Sequence, residues 1–240
     1  MIAAAPDPVT ERPRQMRVVL TFAAATGLLG RGLAAGLGMA GLPVLLPVLV
    51  FLAAAGLAGA ALWQHYPHDR LGLCNLATLL RLALAAAVAS AVLQPEGTGW
   101  AVAGLAAAAL LTDGVDGWLA RRSGLRSRFG GQFDMEVDAG LGLALALFAL
   151  TAGKAGPWVL GLGVLRYLWI LAGRVFPWLT KDLPESLRRK AVCVLQIGAL
   201  LALATPPVTG PLALAIGLTA LALLLWSFAV DAAWLWRRRP

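Results

Sequence analysis

Residues 113–138 read DGVDGWLARRSGLRSRFGGQFDMEVD. Asp113 and Asp116 stand on one side of a basic segment, and Asp134 and Asp138 on the other. The chain around them is 60% hydrophobic and only 13% charged, against about 25% charge in a soluble domain. Apolar runs of about 20 residues recur along almost its whole length, each long enough to cross roughly 30 Å of hydrocarbon as a helix. A spanning segment has to satisfy its own backbone hydrogen bonds, so the fold class is all-α integral membrane. Acidic groups are costly beside lipid and are kept there for use. The stretch therefore marks where the chemistry lies.

Working outward, the composition predicts eight spans. Residues 1–17, with three prolines and mixed charge, read as a short tail. Spans follow at about 18–37, 42–63, 74–94, 99–120, 131–152, 157–176, 190–205 and 211–236, separated by turn-forming stretches such as QPEGTG, GKAG and ATPPVTGP. Residues 18–64 thus form two extra N-terminal helices, and residues 65–240 a six-helix unit that contains the aspartates. Gly32 and Gly36 have the small-xxx-small spacing that permits close helix packing. His65 and His68 flank Pro67 in a polar connector with no Cys or Glu beside them, so they read as interfacial residues rather than metal ligands. Cys74 and Cys193 lack the spacing of a disulfide framework or zinc site.

The formal net charge of +8 is distributed by loop. Fifteen of the Lys and Arg residues fall at the N-terminal tail, in alternate loops and at the C-terminus, whereas Lys154 alone falls in the other set. The positive-inside rule then places both termini, and the loop between the aspartate pairs, in the cytoplasm. Excess charge of this kind reflects topology, and no nucleic-acid partner is expected.

Spacings of three and four put each aspartate pair on one helical face, about 10 Å or less from the cytoplasmic end of its helix. Antiparallel neighbours can turn these faces together. Four carboxylates in one cavity would repel one another unless cations neutralised them. Hard oxygen ligands suit Mg²⁺ or Mn²⁺, and a pair of such ions can clamp the entering and leaving oxygens of a phosphorus centre. Two other readings are structural pairing with Arg121 or other loop arginines, and an ion-coupled membrane transporter that uses the acids as a cation site. Glu136 lies about 200° around the helix from Asp134 and is not expected to be a ligand.

Asp113, Asp116, Gly117, Ala120, Arg121, Gly130, Asp134 and Asp138 fit the pattern D-x2-D-G-x2-A-R-x8-G-x3-D-x3-D without gap or substitution. In this the chain resembles the CDP-alcohol phosphotransferase family. The preceding CNLATLLRL is similar to the family's N-x2-T-x2-R segment through Asn75, Thr78 and Arg81. The resemblance covers about residues 70–236 and leaves the first two helices outside. It implies a six-helix transmembrane bundle that forms a homodimer. The implied activity transfers a substituted phosphoryl group from a CDP-linked donor, CDP-diacylglycerol in most bacterial cases, to an alcohol acceptor, releasing CMP. Carried over, Asp113, Asp116, Asp134 and Asp138 are metal ligands, and Asp138 is also the catalytic base. Asn75, Thr78, Arg81, Gly117, Ala120, Arg121 and Gly130 lie on the donor side. Localisation in a bacterial inner or plasma membrane follows, with the active site cytoplasmic.

The acceptor is not given by this stretch, because FDMEVDA differs from the glycerol-phosphate, serine and inositol-phosphate versions. Arg122, Arg166, Arg188 and Arg189 are the candidates for acceptor binding. Arg166 falls near the middle of its span, where a charge has to face protein, water or a partner. Arg188, Arg189 and Lys190 open a span on the cytoplasmic side, which suits either a positive-inside anchor or a pocket for an acceptor phosphate.

Overall fold

The structure, a computed structural model, describes residues 8–36, 42–123, 125, 127–181 and 183–238; the side chains of residues 8–15, 34–36, 42–44 and 114–123 lie outside that description. Among the described residues all regular structure is helical. The order is α1 (Pro8–Gly36), α2 (Leu42–His65), α3 (Leu73–Ala91), α4 (Gly99–Ser123), α5 (Arg128–Thr151), α6 (Leu160–Val175), α7 (Leu187–Ala204) and α8 (Gly210–Trp236). Short 3-10 turns at Pro157–Val159 and Pro177–Thr180 precede and follow α6. Among the described residues eight α-helices stand where eight spans were expected. Most boundaries shift by a few residues, and the largest difference is at α1, which starts at Pro8, inside the stretch read as a tail. A proline at the first helical position carries no N–H that the helix would use, so it favours a start there.

Among the described residues, five segments are long and apolar enough to cross a membrane: Met16–Leu33, Leu45–His65, Leu73–Ala91, Pro157–Val175 and Gly210–Trp236. In α4 the apolar part is shorter, Gly99–Asp113. Polar residues interrupt α4, α5 and α7 where those helices carry the aspartates and the Arg188–Lys190 cluster.

By its contacts the chain divides into two compact units, Met1–Ser90 with Ala108–Asp138, and Ala91–Ala107 with Ala139–Pro240. In the first unit α1 pairs with α2. Gly30 faces the Phe51 and Leu52 side chains, and Gly59 faces Phe22, each at ordinary van der Waals range. Gly32, one half of the predicted small-residue pair, has open space where its Cβ would lie. Its partner Gly36 lies outside the described side chains. The core of this unit includes Phe22, Phe51, Leu62 and Leu79, all nearly inaccessible. α1 also meets α5 edge to face through Phe22 and Phe133, with ring centroids 6.1 Å apart.

In the second unit α7 packs along α8. Lys154 donates to the carbonyls of Thr205, Pro206 and Val208 at 3.1, 2.9 and 3.2 Å. The lone cation of the sparsely charged loops thus satisfies the carbonyl of Thr205, the C-cap of α7, and two carbonyls of the loop that follows. α5 and α6 touch at Gly163, where a Cβ would stand 2.7 Å from Leu143 Cα and 3.2 Å from Ala146 Cβ. Backbone cannot swing aside as a side-chain tip does. Gly163→Ala is therefore expected to cost about 1–3 kcal/mol by overpacking. Gly198→Ala, whose Cβ would meet nothing within 4 Å, should be neutral or slightly stabilising through helix propensity. Thermal unfolding in detergent compares the two, and equal melting temperatures would contradict the close packing at Gly163.

Candidate active site

α3 carries Asn75, Thr78 and Arg81 at intervals of three, so they share one side of the helix. All three are buried, Arg81 almost completely. Thr78 bonds back to the carbonyl of Cys74 at 3.0 Å, one turn earlier, which spends its hydroxyl proton inside α3. Arg81 reaches further. Its Nη1 lies 2.7 Å from Asp134 Oδ1, 2.7 Å from Asp138 Oδ1 and 3.1 Å from Asp113 Oδ1.

That nitrogen has two protons, and hydrogen bonds to Asp134 and Asp138 take both. Asp113 receives the attraction of the charge. The four-residue step on α5 places Asp134 and Asp138 one above the other, while α4 supplies Asp113. The three acids each bring one carboxylate oxygen within 4.8 Å of the others. Their side chains keep 33–45% of their surface, whereas Arg81 keeps 1%. A buried cation therefore backs an open set of acids.

This arrangement fits a divalent ion. Among the described side chains, three carboxylates against one guanidinium leave a formal excess of negative charge, which divalent cations can balance. The donors are all oxygen, the set that hard ions such as Mg²⁺ and Mn²⁺ prefer. Asp116, Gly117, Ala120, Arg121 and Arg122 are on α4, and their side chains lie outside the described residues. Glu136 is exposed and falls on a different face of α5 from Asp134 and Asp138.

At the start of α3, Asn75 is held from two directions. Its Nδ2 donates to the Tyr66 hydroxyl at 3.1 Å. On the other side a Cβ on Gly130 would stand 3.1 Å from Asn75 Oδ1 and 3.2 Å from Ser127 Oγ. Glycine at 130 thus lets α5 begin against the Asn75 amide, a closer role than the pattern alone specified. Ser127 in turn accepts the Gly130 N–H at 3.0 Å. The Tyr66 hydroxyl donates to the Arg70 carbonyl at 2.9 Å, and burial raises its pKa above the ordinary phenol value. Sequence reading passed over Tyr66, since a single tyrosine in a polar connector carries no pattern.

The remaining candidates lie in the second unit. Arg188 donates to the Ser227 carbonyl and hydroxyl, both at 2.6 Å, and to Asp231 Oδ1 at 2.5 Å. Arg189 reaches the same Asp231 oxygen at 3.2 Å and also the Pro184 carbonyl. Asp231 is nearly buried, so both arginines tie the start of α7 to the end of α8. Arg166 is half-buried in α6.

A family model described as CDP-alcohol phosphatidyltransferase matches residues 71–229, a range that takes in Asn75, Arg81 and all four aspartates. The chain belongs to the CDP-alcohol phosphatidyltransferase family. Comparison with curated proteins and with solved structures gives no match. The family's enzymes are membrane transferases that use a CDP-linked donor, an alcohol acceptor and, in general, a divalent metal. For a CDP-alcohol phosphatidyltransferase, the acids gathered around Arg81 are a group that could hold such a metal. α1 and α2 both precede the matched range, although Phe22 of α1 packs on Phe133, next to Asp134.

Proposed function

We propose that the protein transfers a phosphatidyl group from CDP-diacylglycerol to the hydroxyl of an alcohol acceptor, releasing CMP, at the cytoplasmic face of a bacterial inner or plasma membrane. The observation that carries this reading is the convergence of Asp113, Asp134 and Asp138 on Arg81 in a chain with the complete eight-position signature. Asp113, Asp116, Asp134 and Asp138 hold Mg²⁺ or Mn²⁺, with a pair of ions per site. Bound there, the metal would offset charge on the diphosphate and polarise the phosphorus centre.

The protein's own residues supply the rest. Asp138 takes the proton of the acceptor hydroxyl. The acceptor oxygen then bonds to the phosphatidyl phosphorus as the bond from that phosphorus to the CMP oxygen breaks, and the electron pair leaves on CMP. Arg81 bonds one oxygen of Asp138, and a carboxylate has lone pairs enough to accept a further proton. Asn75 and Arg121 orient the donor's phosphates, Gly117, Ala120 and Gly130 admit its head group, and Thr78 and Arg81 support that surface. The acyl chains remain in the bilayer, which accounts for a transferase built from spanning helices. Two copies of the chain form a homodimer.

The test is CMP release from CDP-diacylglycerol by purified protein in detergent or vesicles. It uses added Mg²⁺ or Mn²⁺ and a panel of glycerol 3-phosphate, serine, inositol, inositol phosphate and phosphatidylglycerol, with the lipid product identified by mass. Turnover with one acceptor, lost on chelation of the metal, is the expected result. Cation flux across vesicles without CMP release would overturn it in favour of a carrier.

Arg122, Arg166, Arg188 and Arg189 remain the acceptor candidates. Pairing with Asp231 gives Arg188 and Arg189 a structural task, but two guanidiniums against one carboxylate keep an excess positive charge. Arg188→Ala should reduce incorporation of a phosphorylated alcohol about tenfold or more relative to an unphosphorylated one, the scale expected for losing a hydrogen bond between charged groups. An equal loss for both would assign Arg188 to anchoring alone.

A further inference from the structure

We propose that Tyr66 is a positioning residue for the CDP-linked donor, acting by fixing the Asn75 amide and coupling α1 and α2 to the donor side of the site. Tyr66 precedes the matched family range and the signature. The inference rests on the reading that Asn75 meets the donor's phosphates.

The hydroxyl of Tyr66 has one proton to give. It goes to the Arg70 carbonyl at 2.9 Å, so toward Asn75 this oxygen can only accept. The Asn75 amide is thereby set with Nδ2 toward Tyr66, at 3.1 Å, and Oδ1 toward Gly130 and Ser127. Of the two N–H bonds on Nδ2, one goes to Tyr66 and the other is the one we assign to a phosphate oxygen. The flipped amide would put two oxygens face to face and turn that donor away. The same hydroxyl lies 3.4 Å from the Gly72 N–H, a donor that it also accepts. Residues 70–72 are thereby drawn round to α3, where the Asn75 N–H bonds the Gly72 carbonyl at 3.0 Å.

The ring is held as firmly as the hydroxyl. Tyr66 is 7% exposed and follows directly from α2, its N–H bonding the Leu62 carbonyl at 3.1 Å. It stands edge to face on Phe129 at 5.9 Å, Phe129 stacks on Phe133 at 5.7 Å, and Phe133 meets Phe22 of α1. A continuous row of aromatic rings therefore runs from α1, past the turn of α5 that carries Asp134, to the tyrosine that orients Asn75. It gives the two N-terminal helices a task in the reaction.

Tyr66→Phe keeps the ring and removes only the hydroxyl. The full-length protein, Tyr66→Phe, Asn75→Ala and the double variant are compared for binding of CDP-diacylglycerol in detergent with Mg²⁺, together with the donor KM against kcat. Tyr66→Phe is expected to weaken donor binding and raise the donor KM about three- to tenfold, the scale of one lost hydrogen bond, with kcat nearly unchanged; the melting temperature should fall by a few degrees, because the hydroxyl also holds the Arg70 carbonyl and the Gly72 N–H. The double variant should bind no more weakly than Asn75→Ala alone. Weakening by Asn75→Ala with none by Tyr66→Phe would overturn the inference and leave the donor reading standing, as would additive losses in the double variant. Undiminished binding by Asn75→Ala, or no binding by the unmodified protein, would overturn the donor reading and the inference with it.

Discussion

Asp138→Asn is expected to lower CMP release about 10²- to 10⁴-fold, the range over which a positioned general base contributes. The change is small in shape. An amide oxygen still accepts from Arg81 Nη1, which bonds Asp138 at 2.7 Å, so the contact between α3 and α5 survives and the melting temperature should move little. What disappears is the capacity to take a proton. Asp138 is also proposed as a metal ligand, and the two roles separate on titration with Mg²⁺. If the loss came only from weakened metal binding, raising the ion concentration would restore turnover. If the carboxylate is the base, the deficit persists at saturating metal. Activity within threefold of the unmodified protein would remove Asp138 from the chemistry altogether.

The sequence carried the helices well, because each needs only a local apolar run. The second span was expected at 42–63 and α2 covers Leu42–His65; the third was expected at 74–94 and α3 covers Leu73–Ala91. Asp134 and Asp138 were legible as one face for the same reason, a four-residue step on a single helix. What depends on partners distant in the chain was less legible. The spacing of Asn75, Thr78 and Arg81 gave them a common side of α3 without showing that Arg81 would end among carboxylates 32 to 57 residues further on. Asp231 gave no sign that it would gather Arg188 and Arg189. The row from Phe22 through Phe133 and Phe129 to Tyr66 joins three separate elements, and aromatic residues scattered in an apolar chain announce no such pairing. The roles of Asp116, Gly117, Ala120, Arg121 and Arg122 still rest on the motif.

Arg81→Met should destabilise the protein by about 3 kcal/mol when no divalent ion is present. Removing one partner of a buried ion pair typically costs about 3–5 kcal/mol, because the remaining charge is left without compensation. Here the charges left behind are carboxylates 33–45% exposed, and solvent screening puts the loss at the lower end. For a chain of 240 residues that corresponds to a fall in melting temperature of about 6–12 °C. Methionine fills most of the volume, so charge rather than a cavity dominates the effect. Arg81→Lys, which restores the charge but not the planar guanidinium that sets Nη1 among the carboxylates of α4 and α5, should recover only part of the loss. The informative measurement repeats the melt with Mg²⁺. A ligand at a hundred times its Kd adds about 2.7 kcal/mol to the state that binds it. Three acids without Arg81 attract a dication more strongly than three acids that share it, so Mg²⁺ should raise the melting temperature of Arg81→Met by more than that of the unmodified protein. The same ion should leave its turnover low, since nothing then holds Asp134 and Asp138 from the α3 side. A variant that melts like the unmodified protein in chelator would show that the aspartates do not depend on Arg81. One that melts low and ignores Mg²⁺ would show that they do not hold a metal.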